Sequence, residues 1–161
     1  MEDIISQTKA ELLRVKARAM HALATTPDDK INWSPSPTAR TPIQQVAHGA
    51  MAIAGIQGML AGTSFPFSSI AEFDTAMRAE EKKFTTREEV IDLLDKSCAD
   101  CLALLDTLTP EQLASTVQLP FGPAFPMSVC ITFPADHLNN HAAQIDYIQT
   151  IYGDHDWHME G

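Results

Sequence analysis

The composition favours a single globular domain. Apolar residues account for 45% of the 161 positions, enough for a hydrophobic core and too many for a disordered chain. The formal net charge of −10 argues against a nucleic-acid or membrane partner, because nucleic acids and anionic bilayers are bound through Lys and Arg. We expect one domain over residues 1–161, with a C-terminal segment, 154–161, that is free to move.

The chain shows no secretory signal and no candidate membrane span. The acidic start Met1-Glu2-Asp3 lacks the basic and apolar regions of a signal peptide. The longest apolar-rich stretch, 46–61, is too short and too polar to cross a bilayer. An odd number of cysteines argues against a disulfide framework, and the C-x-x-C pair Cys98 and Cys101 lies on apolar stripes of a helical stretch. We therefore expect a cytoplasmic protein whose cysteines are buried.

The first helical stretch, residues 2–24, has an apolar stripe along one face and charged residues on the other. It ends before Pro27, where a proline-rich loop begins and extends to residue 41. This loop contains Trp33, a large aromatic side chain that either packs back onto the core or forms part of the wall of a pocket.

The second helical stretch begins at Thr41-Pro42, an N-cap followed by proline at the first helical position, and ends near Gly62. Over 42–61 it is apolar or small on nearly all sides, which predicts a central helix whose small residues let neighbouring backbones approach. The connection that follows, 62–85, is too long for a tight turn between helices. It predicts a crossover along the bundle, with a short helix near 70–80.

Thr86 and Glu89 form a capping-box pattern that starts the third helical stretch, 86–107. A short helical turn is predicted at Thr109-Pro110-Glu111, and an irregular segment or a hairpin over 114–126.

The fourth helical stretch, about 128–152, contains Pro134, so it either starts near this residue or bends there. Gly153 marks its end. Four amphipathic helices without alternating strands predict an all-α fold, a four-helix bundle with long connections.

Three histidines are the most informative residues. His137 and His141 lie four positions apart in one helix, so their side chains share a face. His48 belongs to the nearly all-apolar second helix, so all three imidazoles are expected to be partly buried and to need partners. A divalent metal held by the three would keep an open coordination position for chemistry. Hydrogen bonds to backbone or carboxylate groups are the alternative.

Asp136 and Gln144, neighbours on the fourth helix, are candidates to orient the ligand imidazoles, although a solvated face is an equally good interpretation. The other histidines are weaker metal-site candidates. His155 and His158 lie in a terminal segment, and His21 lies near the end of the first helix.

The chain resembles the DinB/YfiT-like superfamily over its whole length. The residues that carry the resemblance are 29–35, Arg40-Thr41-Pro42-Ile43 leading to His48, and, more specifically, 136–144 followed by Tyr147 and 152–154. The resemblance implies a bundle with up-down-down-up topology, in which helices two and three run parallel and 62–85 provides the crossover. It also implies a divalent metal, zinc or nickel, on His48, His137 and His141, and a homodimer.

Characterised members of this family include S-transferases that use bacillithiol or mycothiol, and a thiol-dependent maleylpyruvate isomerase. A fold and three ligands do not define a substrate, and the preferred hypothesis is a metal-dependent transferase in which the thiolate of a low-molecular-weight thiol attacks a small electrophilic substrate. No glutamate stands beside the histidines in the sequence as it does in H-E-x-x-H, which favours a thiol over water. Loop phenylalanines are candidates for an apolar pocket wall: Phe65, Phe67, Phe121 and Phe125.

Two alternatives remain open. Water bound to the same metal would make the site that of a hydrolase. A stress-related protein that binds metal without turnover would use the histidines for structure or sensing. A free coordination position that faces a cleft favours an enzyme, whereas a fourth protein ligand without a cleft favours a structural role.

Overall fold

The computed structural model describes residues 3–159. In this part of the chain the elements follow one another in this order: α1 Ile4–Thr25, α2 Pro42–Leu60, α3 Ile70–Glu81, α4 Arg87–Leu105, α5 Pro110–Leu113, β1 Thr116–Gln118, β2 Ala124–Pro126, α6 Met127–Cys130 and α7 Phe133–Ile151. The long helices α1, α2, α4 and α7 form the predicted four-helix bundle. None of the described helices is long and apolar enough to cross a membrane.

Polar contacts between α1 and α7 show that these two helices are parallel. Arg18 binds Asp146 at 2.7 Å, and one turn further along α1 the carbonyl oxygen of Ala22 accepts a hydrogen bond from Gln149 at 3.1 Å. Both positions increase together along the chain, as parallel neighbours require.

Helix α1 is antiparallel to α4, and α2 is antiparallel to α7. Salt bridges join α1 to α4 in reversed order: Lys9 to Asp106 and Lys16 to Asp95. On α2 and α7, Gln45 contacts His141 whereas Gly49 lies against Leu138, so the order is again reversed. It follows that α2 and α4 are parallel and that the topology is up-down-down-up, as the family resemblance implied.

The parallel pair α2 and α4 requires a crossover, and the segment between them provides it. It contains α3, which confirms the short helix predicted near 70–80. Further along, β1 and β2 pair antiparallel, with Val117 opposite Phe125, so the hairpin alternative for 114–126 is the correct one.

The helix ends follow their local sequence. Capping boxes open two helices at the predicted residues: Thr41 with Gln44 for α2 and Thr86 with Glu89 for α4. Gly62 and Gly153 adopt φ values of 78° and 93° after α2 and α7. In that left-handed region glycine avoids the steric cost that other residues meet. The amide groups of Thr63 and Asp154 then satisfy free carbonyl groups of the last turns.

Two helix boundaries differ from the predictions. Asp3 caps α1 by accepting hydrogen bonds from the next amide groups, so this helix begins at Ile4; Glu2 lies outside the described residues. The predicted fourth helix is divided into α6 and α7, and Pro134 lies in the first turn of α7. There the missing N–H of proline leaves no helical hydrogen bond unmade, so the helix starts near Pro134 and does not bend.

The core lies between the four long helices. Its fully buried side chains include Leu12, Val15, Leu23, Ile43, Val46, Ile53, Leu94, Leu105, Leu138 and Ile145. Cys98 and Cys101 are buried with them, and burial raises the pKa of each thiol to about 11. The C-x-x-C pair therefore behaves as small apolar core residues, as the sequence predicted.

Candidate metal centre

The three predicted histidines converge on one point between α2 and α7. Each of His48, His137 and His141 offers a ring nitrogen, and these nitrogens lie within 4.8 Å of one another. The Nε2 atoms of His137 and His141 are 3.1 Å apart. The spacing of four on one helix and a single histidine on the facing helix therefore bring three imidazoles together.

A close approach of the two helix backbones makes this convergence possible. Gly49 follows His48 and lies directly against Leu138, which follows His137. A Cβ atom at position 49 would lie 2.7 Å from Cδ1 of Leu138, closer than real Cβ contacts allow. Leu138 is fully buried, so its side chain has no free space to move into.

A buried amide orients His141. The Nδ1 atom of His141 donates a hydrogen bond to Oε1 of Gln45 at 2.7 Å. An amide oxygen only accepts, so the proton of the neutral imidazole lies on Nδ1 and the lone pair lies on Nε2. Gln45 is 7% exposed and projects from the same helix as His48. The sequence offered one signal for it, since a glutamine in an otherwise apolar helix needs a buried partner.

A buried carboxylate orients His48 in the same way. Oε1 of Glu81 accepts a hydrogen bond from Nδ1 of His48 at 2.7 Å. Arg40 holds the same carboxylate through two hydrogen bonds, of 2.7 Å and 2.9 Å. Glu81 is only 2% exposed and ends α3, so the crossover supplies it. Nε2 is consequently the nitrogen of His48 that is left for a metal.

The charge state of the cluster suits a cation. Burial, with the nearby charge of His48 and Arg40, lowers the pKa of His137 to about 4. Burial and the neighbouring histidines lower the pKa of His141 to about 3, against a hydrogen bond with Gln144 that acts in the opposite direction. Both imidazoles are therefore neutral at pH 7, the form that binds metals.

Glu81 corrects the expectation that no glutamate stands beside the histidines. Burial alone would raise its pKa, but hydrogen bonds from His48 and Arg40 outweigh burial and hold the pKa at about 2. Both carboxylate oxygens are engaged by these partners. Glu81 is therefore a permanent anion that orients an imidazole, and it is not free to accept a proton from water.

Of the other candidate residues, Asp136 and Trp33 contact groups outside the histidine cluster. Asp136 is exposed and accepts a hydrogen bond from Oγ1 of Thr132 at 3.0 Å, because successive helix residues point in directions about 100° apart. Gln144 is exposed, but its side chain is within hydrogen-bonding reach of His141, so it keeps its place as a candidate orienting group. The ring of Trp33 packs edge-on against Tyr152, with a centroid distance of 6.0 Å. Of the two positions predicted for Trp33, the structure therefore shows the one in which the ring packs back onto the folded chain, here against Tyr152.

The other histidines lie outside the cluster. His158 contacts Asp154 through Nε2 at 3.0 Å, and Nε2 of His21 lies 2.8 Å from the backbone oxygen of His158. These contacts join residues 154–158 of the C-terminal segment to α1. His155 is exposed.

An apolar cleft of about 1130 Å³ opens beside His137, between α2, α3 and the hairpin. Three of the four candidate phenylalanines line it: Phe65, Phe67 and Phe121. Phe125 does not line this cleft and packs against Phe133, with ring centroids 5.9 Å apart. The cluster of histidines thus has one member that faces an open space of the size that small molecules occupy.

Comparison with known proteins gives a consistent result. The family model described as the DinB superfamily matches residues 11–145. No curated protein sequence matches the chain significantly. The fold is similar to that of a conserved protein from Enterococcus faecalis, with 17% identity, a TM-score of 0.71, and coverage of 94% of this chain and 98% of that one.

Two further solved structures share the fold. A DinB-like protein from Bacillus subtilis has 15% identity and a TM-score of 0.64, with coverage of 93% of this chain and 94% of that one. A mycothiol-dependent maleylpyruvate isomerase has 12% identity and a TM-score of 0.68 over 90% of this chain. The chain spans 63% of the length of that isomerase.

Proposed function

The chain belongs to the DinB superfamily, and from this premise we propose that it is a metal-dependent transferase that joins a low-molecular-weight thiol to a small electrophile. The observation that carries the proposal is the convergence of three imidazoles beside an apolar cleft. A structural similarity to a mycothiol-dependent isomerase supports the choice of a thiol as the cofactor.

The donor set fits a divalent metal. His48, His137 and His141 would hold the ion through Nε2, and imidazole nitrogen suits zinc and nickel. Three neutral ligands leave the charge of the ion intact, and the bound ion would favour the thiolate form of the cofactor over the thiol.

The surrounding residues of the chain keep the imidazoles ready. Gln45 and Glu81 fix the ring orientation and the tautomer of two of them, so little freedom is lost when a metal binds. Arg40 neutralises Glu81 and holds it in place with two parallel hydrogen bonds. The ion pair of Glu81 and Arg40 therefore adds little net charge beside the histidines, and His137 lines the cleft.

The same arrangement favours a thiol over water as the nucleophile. Activation of water is helped by a free general base, and Glu81 is already saturated with hydrogen bonds and strongly acidic. A thiol needs less assistance, since its own pKa is already near 8.5. We therefore place transfer of sulfur ahead of hydrolysis.

The test begins with metal content. Elemental analysis of the untagged protein is expected to give about one zinc or nickel per chain, and His137→Ala is expected to lose it. The matched control is His155→Ala, which removes an exposed histidine outside the cluster and should keep the metal. Absence of metal from the wild type, even after it is added back, would contradict the proposal.

Activity is measured next, with mycothiol or bacillithiol and 1-chloro-2,4-dinitrobenzene. In this reaction the thiol loses its proton, its sulfur bonds to the ring carbon, and chloride leaves with the bonding electrons. Thioether formation above the uncatalysed rate, abolished by His137→Ala but not by His155→Ala, is the expected result. Full metal content without turnover for a panel of electrophiles would instead favour a metal-binding protein without catalysis.

A further inference from the structure

The cleft beside His137 has a chemically uniform lining. It is bounded by the C-terminal half of α2, by the segment from Gly62 to Phe67, by α3 and by the hairpin. Among the described residues that line it, none is Asp, Glu, Lys or Arg. This is unusual for a chain in which 20% of the residues are charged. The polar groups of the wall are hydroxyls, one amide and the imidazole of His137.

This lining disfavours an anionic ligand. A carboxylate on the part of a ligand that contacts these side chains would lose hydration without gaining a cationic side chain as a partner, which is costly in apolar surroundings. Arg40, a cation close to the histidines, is already paired with Glu81 and does not line the cleft. An uncharged ligand loses little hydration and gains from the burial of its apolar surface.

Aromatic rings and thioethers dominate the outer wall. Phe65 contacts three other rings, those of Phe67, Phe73 and Phe121, with centroid distances of 5.2–5.4 Å. These rings are only partly buried, so their surfaces remain available to a planar ligand. Four methionines also line the cleft: Met51, Met59, Met77 and Met127. Flexible thioethers adapt to the shape of an apolar guest.

Small residues of α2 form one wall of the cleft. Ala52, Gly55 and Gly58 on α2 line it. A Cβ atom built at Gly55 meets nothing within 4 Å, so this position faces open space. Glycine inside a helix is otherwise destabilising by roughly 1 kcal/mol relative to alanine. Free volume at this position is consistent with a helix face that is kept clear.

We propose that this cleft binds the electrophilic substrate, and that the substrate is an uncharged, apolar molecule containing an aromatic ring, with its reactive end toward His137. The proposal rests on the proposed function, because it assigns the substrate class of the same site. The aromatic wall holds the ring, and the absence of cationic side chains along the wall disfavours dicarboxylates.

The experiment measures binding directly and does not require turnover. N-phenyl-1-naphthylamine, an uncharged fluorescent aromatic, is titrated into the metal-loaded and metal-free protein, and maleate is added as a dicarboxylate competitor. We expect saturable binding of the probe that maleate does not displace. Gly55→Phe fills the cleft and is expected to weaken binding by at least tenfold. Ala99→Phe, the matched control, adds the same ring at an exposed position of α4 outside the cleft and should bind as the wild type does.

Thermal melting and metal content of both variants show that the fold and the histidine cluster are intact. Equal probe binding by Gly55→Phe and Ala99→Phe would overturn the proposal, and so would displacement of the probe from the metal-free protein by maleate at a comparable concentration. If the probe binds as expected but the protein holds no metal, the proposed function fails while the ligand class of the cleft is supported. If metal is held but the probe does not bind, the substrate class alone is overturned.

Discussion

Glu81 accepts a hydrogen bond from Nδ1 of His48 at 2.7 Å, although the two residues lie 33 positions apart. The crossover between α2 and α4 therefore contributes a buried carboxylate to a cluster whose other members come from the bundle. This carboxylate is also bound by Arg40, which lies before α2. The orientation of one candidate metal ligand thus depends on two segments outside the four long helices.

Replacing Glu81 by glutamine is expected to weaken metal binding about 10–100-fold, because the outer partner that orients His48 and raises its basicity loses its charge. Arg40 would also lose its closer ion-pair partner and keep only the longer contact with Asp74, of 3.7 Å. Affinity is measured by competition with a chromophoric chelator. Glu80→Gln is the control, since Glu80 pairs with Lys83 at the surface. Equal affinity of the two variants would contradict the role given to Glu81.

Replacing Gln45 by methionine is expected to destabilise the metal-free protein by about 1–3 kcal/mol, because the buried Nδ1–H of His141 loses its acceptor. Metal affinity should fall as well, since the ring is no longer held with Nε2 toward the cluster. Denaturant unfolding gives the first quantity and chelator competition the second. A variant with unchanged affinity would show that Gln45 serves stability alone.

Alanine at Gly49 and alanine at Gly55 should have opposite effects. Both substitutions improve helix propensity by roughly 1 kcal/mol. At position 49 the new methyl group meets fully buried Leu138, and such overpacking costs about 1–3 kcal/mol. At position 55 it meets open space. Thermal melting should therefore place Gly55→Ala above the wild type and Gly49→Ala at or below it. Gly49→Ala is also expected to weaken metal binding, because it separates His48 from α7.

Acid should destabilise the metal-free protein before any carboxylate titrates. Folding lowers the pKa of His137 from 6.5 to about 4 and that of His141 from 6.5 to about 3. At a pH between the unfolded and the folded pKa, the unfolded chain therefore binds more protons than the folded chain. Stability is unaffected by these groups above pH 6.5 and falls as the pH drops below it. Urea midpoints measured from pH 8 to pH 5 should show this decline. The decline should be smaller in His141→Gln, and an equal pH dependence in that variant would contradict the assignment.

Most of the fold could be predicted from the sequence, because the signals that specify its helices are local. Capping boxes at Thr41 and Thr86, the glycine stop at Gly62 and the apolar stripes each depend on residues within one or two turns. The histidine cluster was accessible for a related reason, since two of its members share a helix face. Their convergence with His48 required only that α2 pack beside α7.

The partners of the histidines were less accessible. Asp136 adjoins His137 in the sequence, but adjacency along a helix turns its side chain away from that of His137. The contact of Glu81 with His48 could not be predicted, because it depends on where a long crossover returns to the bundle, and no local pattern specifies this. Trp33 illustrates the same limit, because an aromatic residue in a loop packs wherever tertiary structure provides a surface, here Tyr152.

Helix α3 contributes residues both to the cleft and to the surroundings of the histidine cluster. Phe73 and Met77 line the cleft from this helix, and Glu81 at its end holds His48. A ligand that displaced α3 would therefore change the position of Glu81, and a cation that fixed His48 would restrict α3. By thermodynamic reciprocity, each occupant would alter the affinity of the other by the same factor. Metal binding by the histidines and ligand binding in the cleft are then expected to be coupled through the crossover.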